Sequence, residues 1–264
     1  VPHLRRAARD VRRGDVSRDF APVALVTGGG RRIGAVLAER LAASGYTVVI
    51  TYRTARAEAV DLARRLAGRA WRLDLACPGT FAALAGRLGR RFGRLDLLVH
   101  NAAVFPRTPP GSVKPRLFDR VVAVNLRGPF LLTQALIPLM RRTPGRPAVV
   151  FIGDAGARAM WPSYLPYCLS KMALEGLAAA WRRDLAPAIR VGLVRPGFAL
   201  RPEGFPLAAW EALQARRPKP RGPSSPGEIA AAVLRFARAG FYNRELWTRS
   251  SSPGGHHRVK ETGR

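Results

Sequence analysis

Two cysteines, Cys77 and Cys168, are all that this 264-residue chain carries. That is too few for a disulfide framework, so the fold has to rest on a buried core. Nothing stands at metal-ligand spacing, and His256-His257 near the end is an isolated pair, so no metal site is expected. No apolar run approaches the ~18 residues that span a bilayer. The first twenty residues also lack the apolar stretch of a secretory signal, so a soluble, cytoplasmic protein without membrane association is expected. Acidic residues are scarce, 17 against 45 basic ones, for a formal charge of +28. Lysine is scarcer still, at positions 114, 171, 219 and 260 only, and arginine pairs recur from 5/6 to 216/217. Charge so dispersed, without interleaved aromatics to stack bases, argues against a dedicated nucleic-acid face. It leaves room for nonspecific, salt-sensitive association with nucleic acid through the arginine-rich surface.

What is present suits one α/β domain large enough for a sizeable core. Short apolar runs at 23–27, 47–52, 69–74, 95–100, 147–153 and 189–195 alternate with helical patterns, which predicts a single-domain Rossmann fold with a doubly wound, mostly parallel sheet. Residues 1–21 read as an arginine-rich, disordered extension, 22–249 as the domain and 250–264 as a tail. Residues 197–226, rich in Pro, Arg and Gly, read as a substrate lid with a short helix near Leu207 to Ala215.

Two patterns carry chemistry. Val23 to Thr27 runs straight into Gly28-Gly29-Gly30-Arg31-Arg32-Ile33-Gly34 and then into a helical pattern with Ile33, Leu37, Leu41 and Ala42 on one side. Strand, glycine turn and helix in succession let backbone amides face a pyrophosphate. In the second, Tyr167 and Lys171 stand one turn apart on a helix-forming segment, so both fall on one face. A fixed ammonium near a phenol is expected to bring its pKa towards neutrality, as acid/base work on a carbonyl or imine requires. The strand 47–52 ends in Tyr52-Arg53-Thr54, with arginine and threonine where an NAD-preferring site would place an acid; this predicts NADP(H).

These residues together resemble the short-chain dehydrogenase/reductase family over about Pro22 to Pro226. Thr27-Gly28 to Gly34 is similar to its glycine motif, Asp74 with Leu75 to its adenine site, and His100-Asn101-Ala102-Ala103 to its Asn-Asn-Ala-Gly turn. Asn125 matches the asparagine that helps hold a water for proton relay, and Pro196-Gly197 resembles the turn beside the nicotinamide. Glycine is usual in the family where Arg32 stands, and serine where Asp154 stands. Both changes, with Phe105 four residues after Asn101, resemble the pteridine reductase branch.

The resemblance implies a coenzyme site of Thr27, Gly28, Arg31, Arg32, Ile33, Gly34, Tyr52, Arg53, Thr54, Asp74, Leu75, Asn101, Ala102, Lys171, Pro196 and Gly197. It implies a catalytic set of Asn125, Asp154, Tyr167 and Lys171, and a substrate site of Arg32, Phe105, Asp154 and Tyr167. A flat pterin would stack on Phe105, with the Asp154 carboxyl as acceptor for its amino group and ring nitrogens or as a proton relay. The expected reaction is NADPH-dependent reduction of a C=N bond in a dihydropterin or dihydrofolate. The alternatives are a general carbonyl or 3-oxoacyl reductase, and a non-catalytic, basic nucleic-acid-binding protein on the same fold. The family also implies a homo-oligomer, dimer or tetramer, although Glu245 to Gly255 is a degraded version of the strand that helps build its tetramer.

Overall fold

The structure, a computed structural model, describes residues 21–216 and 225–238. Six short strands, β1 (Val23–Thr27), β2 (Thr47–Tyr52), β3 (Arg69–Arg72), β4 (Leu97–His100), β5 (Ala148–Ile152) and β6 (Arg190–Val194), form one sheet in the order β3-β2-β1-β4-β5-β6. Every neighbouring pair is parallel. All residues of β1, β4, β5 and β6 are buried, as continuous apolar runs demand when helices cover both faces of a sheet.

The period-two alternation of side chains divides the core in two. Leu25, Leu98, Phe151 and Leu193 pack with Phe81, Leu88, Leu132, Leu136 and Trp181 from α3 (Phe81–Phe92), α5 (Gly128–Arg142) and α6 (Leu165–Asp184). On the opposite face Val26, Ile50, Val99 and Val150 pack with Leu37, Leu41, Leu62, Ile229 and Val233. These come from α1 (Arg32–Ala43), α2 (Arg56–Arg65) and α8 (Pro226–Arg238). The doubly wound parallel sheet is the expected fold.

Some details depart from the sequence reading. β3 stops at Arg72, so Asp74 lies beyond the strand rather than at its end; Leu73 N–H still donates to Tyr52 O at 2.8 Å. β4 begins at Leu97; Asp96 just before it still donates its N–H to Val23 O (2.9 Å) and accepts from Ala148 N–H (2.8 Å), while its carboxylate takes Val23 N–H and the Arg94 guanidinium. The helix α4 (Pro115–Val122), a π-helical turn at Ala123–Arg127 and α5 run on as one stretch, Pro115–Arg142. By length and composition alone it could cross a membrane, yet half of its most apolar 18-residue window is buried inside the domain. Its apolar residues, Leu132, Leu136, Leu139 and Met140 among them, belong to the core. Helix α7 (Leu207–Arg216) matches the helix expected in the lid. The extension 1–20, lid residues 217–224 and the segment from 239 onward, with the expected edge strand at 245–248, lie outside the described residues.

Candidate active site

Strands β1 and β4 are neighbours whose chain connections leave in opposite directions, so their carboxyl ends open a crevice at the switch point of the sheet. Thr27 and Asn101 lace its floor. The Thr27 hydroxyl accepts from Asn101 N–H (3.0 Å) and Ala102 N–H (3.1 Å) and donates to Val99 O (3.3 Å). Asn101 Nδ2 donates to Thr27 O and Gly28 O at 3.0 and 3.1 Å. Above this floor lies a cavity of about 750 Å³, the size of a small-molecule site. Every site residue expected from sequence lines it except Thr27 and Asn125.

The glycine loop is tight for an identifiable reason. A Cβ on Gly34 would sit 2.1 Å from Gly28 O, so only glycine lets α1 start this close to β1. Arg32 takes φ 54°, a left-handed conformation that costs a non-glycine residue about 1 kcal/mol or more. Its guanidinium donates to Arg201 O at 2.7 Å, and Arg31 pairs with Glu203 at 3.1 Å. Both loop arginines therefore bond to the segment after Gly197, 169 residues away in the case of Arg32, an attachment no local sequence pattern announces.

At the other end, Arg53 and Thr54 stand exposed at the close of β2 and line the cavity without an acid between them. Asp74 closes this end, paired with Arg120 at 3.2 Å. Burial pulls the Asp74 carboxyl upward, but Ala76 N–H, Arg120 and the charge of Arg53 outweigh it and hold it below the usual carboxylate range. Arg120 was not foreseen; it lies 46 residues from its partner. A close-packed glycine turn, the Asp74 carboxylate and the exposed Arg53 at the β2 end fit a dinucleotide carrying an additional phosphate.

In the centre, Tyr167 and Asp154 meet. The Tyr167 hydroxyl donates to Asp154 Oδ2 at 2.8 Å, and Gly156 N–H donates to Oδ1 at 2.6 Å. Burial raises the Asp154 carboxyl above its ordinary range, although Tyr167, Gly156 and the Lys171 charge oppose it. The expectation that Lys171 brings the phenol towards neutrality needs correcting. Burial, then the Asp154 charge and hydrogen bond, push Tyr167 well above its ordinary value, because the carboxylate and not the amine is its neighbour. Lys171 Nζ instead donates to Ile152 O at 2.7 Å and lies 5.8 Å from the centre of the tyrosine ring. Tyr167 is thus held in its neutral form.

Burial lowers Lys171 from 10.5 to about 8, against the opposing pull of Asp154. A base with a depressed folded pKa burdens the fold while charged in both states, by about 3 kcal/mol below pH 8 for this shift. The burden lifts between about pH 8 and 10.5. Lys171→Met should therefore raise the Tm of the coenzyme-free protein by several degrees at pH 7 and by less at pH 10, net of the lost Ile152 hydrogen bond. Thermal melts at the two pH values check this; a lower Tm at pH 7 would contradict it.

Phe105 lies on the cavity wall, but its face is stacked on Tyr164 (centroids 4.1 Å, 5°) and its ring meets Tyr167 edge-on (4.4 Å, 84°). Trp161, Phe198, Phe205 and Trp210 continue the wall in edge contacts. These rings come from three loops and α7, so no single motif contains them. Asn125 sits in the π-turn with its amide fully occupied: Oδ1 accepts from Val104 N–H (2.8 Å), and Nδ2 donates to Val104 O (3.0 Å) and Ser170 Oγ (3.1 Å). In this structure it braces the loop bearing Phe105 against α6 and does not line the cavity, unlike the water-holding position expected.

The chain matches the family model described as enoyl-(acyl carrier protein) reductase over residues 29–240. Similar proteins include pteridine reductase 1 of Leishmania tarentolae, 30% identical over 81% of this chain and 89% of that protein. A putative ketoacyl reductase of granaticin polyketide synthase from Streptomyces violaceoruber is likewise 30% identical, over 84% of this chain and 91% of that one. Among solved structures, the FolM alternative dihydrofolate reductase 1 of Brucella canis, complexed with NADP, superposes with a TM-score of 0.74 at 30% identity, over 84% of this chain and 90% of that one. The chain belongs to the short-chain dehydrogenase/reductase family of NAD(P)-dependent oxidoreductases.

Proposed function

We propose that this member of the short-chain dehydrogenase/reductase family is an NADPH-dependent reductase acting on the C=N bond of a dihydropterin or dihydrofolate. The observation that carries the reading is the Tyr167–Asp154 hydrogen bond beside the Phe105 ring. Phenol and carboxyl together form a two-member proton chain, and an aromatic wall beside it suits a flat, nitrogen-rich ring. The Brucella canis structure with NADP and the arginine at the β2 end support the choice of coenzyme.

Within this reading Gly28 to Gly34, Arg53, Thr54, Asp74 and Asn101 hold the dinucleotide, which when bound supplies the hydride. Tyr167 gives its proton to the ring nitrogen next to the carbon being reduced, and Asp154, whose buried carboxyl is inclined to bind a proton, restores it. Lys171 holds positive charge at the tyrosine's inner flank. The tall aromatic wall excludes water from the reacting face.

A general carbonyl or 3-oxoacyl reductase is the competing reading, favoured by the ketoacyl reductase relative. A panel following NADPH oxidation with dihydrobiopterin, dihydrofolate, folate, a 3-oxoacyl thioester and a quinone separates the two. Turnover of the pterins at a kcat/KM at least about tenfold above the thioester is expected; turnover of the thioester alone would replace this reading.

We also propose a homo-oligomer in solution. Leu165, Leu169 and Met172 form an exposed apolar stripe at i, i+4, i+7 on α6, beside exposed Phe118 of α4. Light scattering at a mass above 28.8 kDa is the expected result.

A further inference from the structure

One buried acid plays no part in the chemistry described so far. Glu175 lies one helical turn beyond Lys171 on α6, with its side chain 6% exposed. Its carboxylate takes Arg195 Nε at 2.8 Å on Oε1 and Arg195 Nη2 at 3.1 Å on Oε2, a forked contact. Arg158 adds Nε at 3.2 Å and Nη2 at 2.8 Å on Oε2. Each partner is next to a piece of the site. Arg195 directly precedes Pro196-Gly197 on the cavity wall, and Arg158 stands four residues after Asp154 in the 3-10 turn Ala157–Ala159. Two backbone bonds join the same segments, Gly153 N–H to Val194 O (2.8 Å) and Ala155 N–H to Pro196 O (2.9 Å). One carboxylate thus gathers the helix of Tyr167 and Lys171, the loop of Asp154 and the turn of Pro196-Gly197, without lining the cavity itself.

We propose that Glu175 is a positioning residue: through Arg195 and Arg158 it sets the relative placement of the Tyr167 helix, the Asp154 loop and the Pro196-Gly197 turn. The inference rests on the reductase reading for its effect on turnover, but not for its effect on the two loops. Stability alone does not account for such a cluster. A buried ion pair is often replaceable by apolar side chains of similar volume at little or no loss of stability, whereas leaving one partner alone is destabilising. Directional, forked contacts provide fixed geometry, which apolar packing reproduces poorly.

The distinction decides the experiment. Glu175→Met with Arg195→Met removes the pair as a unit, and Glu175→Gln keeps the shape without the charge. In the double variant, a Tm near that of the wild type is expected together with faster amide hydrogen exchange in 153–159 and 195–199. Kd for NADPH should be about tenfold weaker and kcat about 10- to 100-fold lower, the scale of a small misplacement of reacting groups. Affinity for 2′,5′-ADP, which contains only the adenosine half, should be unchanged. Glu175→Gln should show the same pattern in weaker form.

Wild-type exchange in both segments of the double variant, with wild-type NADPH affinity, overturns the proposal. Equal losses of 2′,5′-ADP and NADPH affinity in Glu175→Gln also overturn it, since they mark a general disturbance. Failure of the reductase reading looks different: the unmodified protein would then oxidise NADPH with none of the pterins. The exchange measurement on the coenzyme-free variants still decides the role of Glu175 in that event.

Discussion

Tyr167→Phe should lower kcat for NADPH-dependent pterin reduction about 10³-fold while the Kd for NADPH stays within about twofold of the wild type. Loss of a positioned proton donor costs about 10²–10⁴ in rate, and the neighbouring amide and amine are engaged elsewhere. Asn125 is spent on Val104 and Ser170, and Lys171 Nζ donates to Ile152 O. The change is conservative in packing, because the ring and its 4.4 Å edge contact with Phe105 remain. What does change is Asp154. It loses a hydrogen bond that lowers its pKa, so its carboxyl moves further up and becomes more readily protonated. Asp154→Asn should be milder, roughly 10- to 100-fold, because the phenol keeps its own proton but loses its source of replenishment. Turnover and fluorescence titration of both variants give the comparison. Wild-type turnover in Tyr167→Phe would dismiss the tyrosine as donor.

The direction of the tyrosine's shift also bears on pH. Since Tyr167 is pushed well above its ordinary value, its deprotonation should not limit the reaction below about pH 10. An alkaline decline beginning near pH 8 would instead belong to Lys171, whose ammonium titrates at about 8 in the coenzyme-free protein. The shape of the profile therefore reports on which of the pair changes state.

Local patterns make the sheet and the glycine loop readable, because short continuous apolar runs and a glycine turn before a helix are recorded in consecutive residues. Gly28 to Gly34, Arg53 and the Tyr167 helix are legible on that basis, whereas Asp74 comes from the family resemblance. The Tyr167–Lys171 spacing also put both groups on one face of α6, as a helix must. What spacing cannot convey is which third group approaches from elsewhere in the chain. Asp154 took the tyrosine's hydroxyl, Arg201 and Glu203 took the loop arginines, and Val104 took Asn125. Arg158, Glu175 and Arg195 are three ordinary charged residues in an arginine-rich sequence; only folding brings two of them onto one carboxylate. The aromatic wall is dispersed from Phe105 to Trp210 in the same way.

Coenzyme choice offers the second large effect. Arg53→Asp should shift the ratio of kcat/KM for NADPH to that for NADH by about 10²–10³ towards NADH, with kcat at saturating coenzyme little changed. Arg53 stands exposed at the end of β2, where a dinucleotide's adenosine ribose is recognised, with Thr54 beside it and no acid in place. A charge-assisted hydrogen bond to a phosphate contributes about 1.5–3 kcal/mol, and reversing the charge adds repulsion to that loss. The new carboxylate would in turn accept the two hydroxyls of an unphosphorylated ribose. Because the site is open to solvent, screening matters. NADPH affinity of the unmodified protein should fall as salt rises, and the affinity of Arg53→Asp for NADH should respond far less. Asp74 supplies an internal check, since the Arg53 charge helps keep its carboxyl ionised. Removing that charge should raise the Asp74 pKa, measurable by NMR titration without any coenzyme present. A ratio that still favours NADPH by the wild-type margin, with Asp74 shifted as expected, would place the phosphate contact on another cation and rule out Arg53 as the selector.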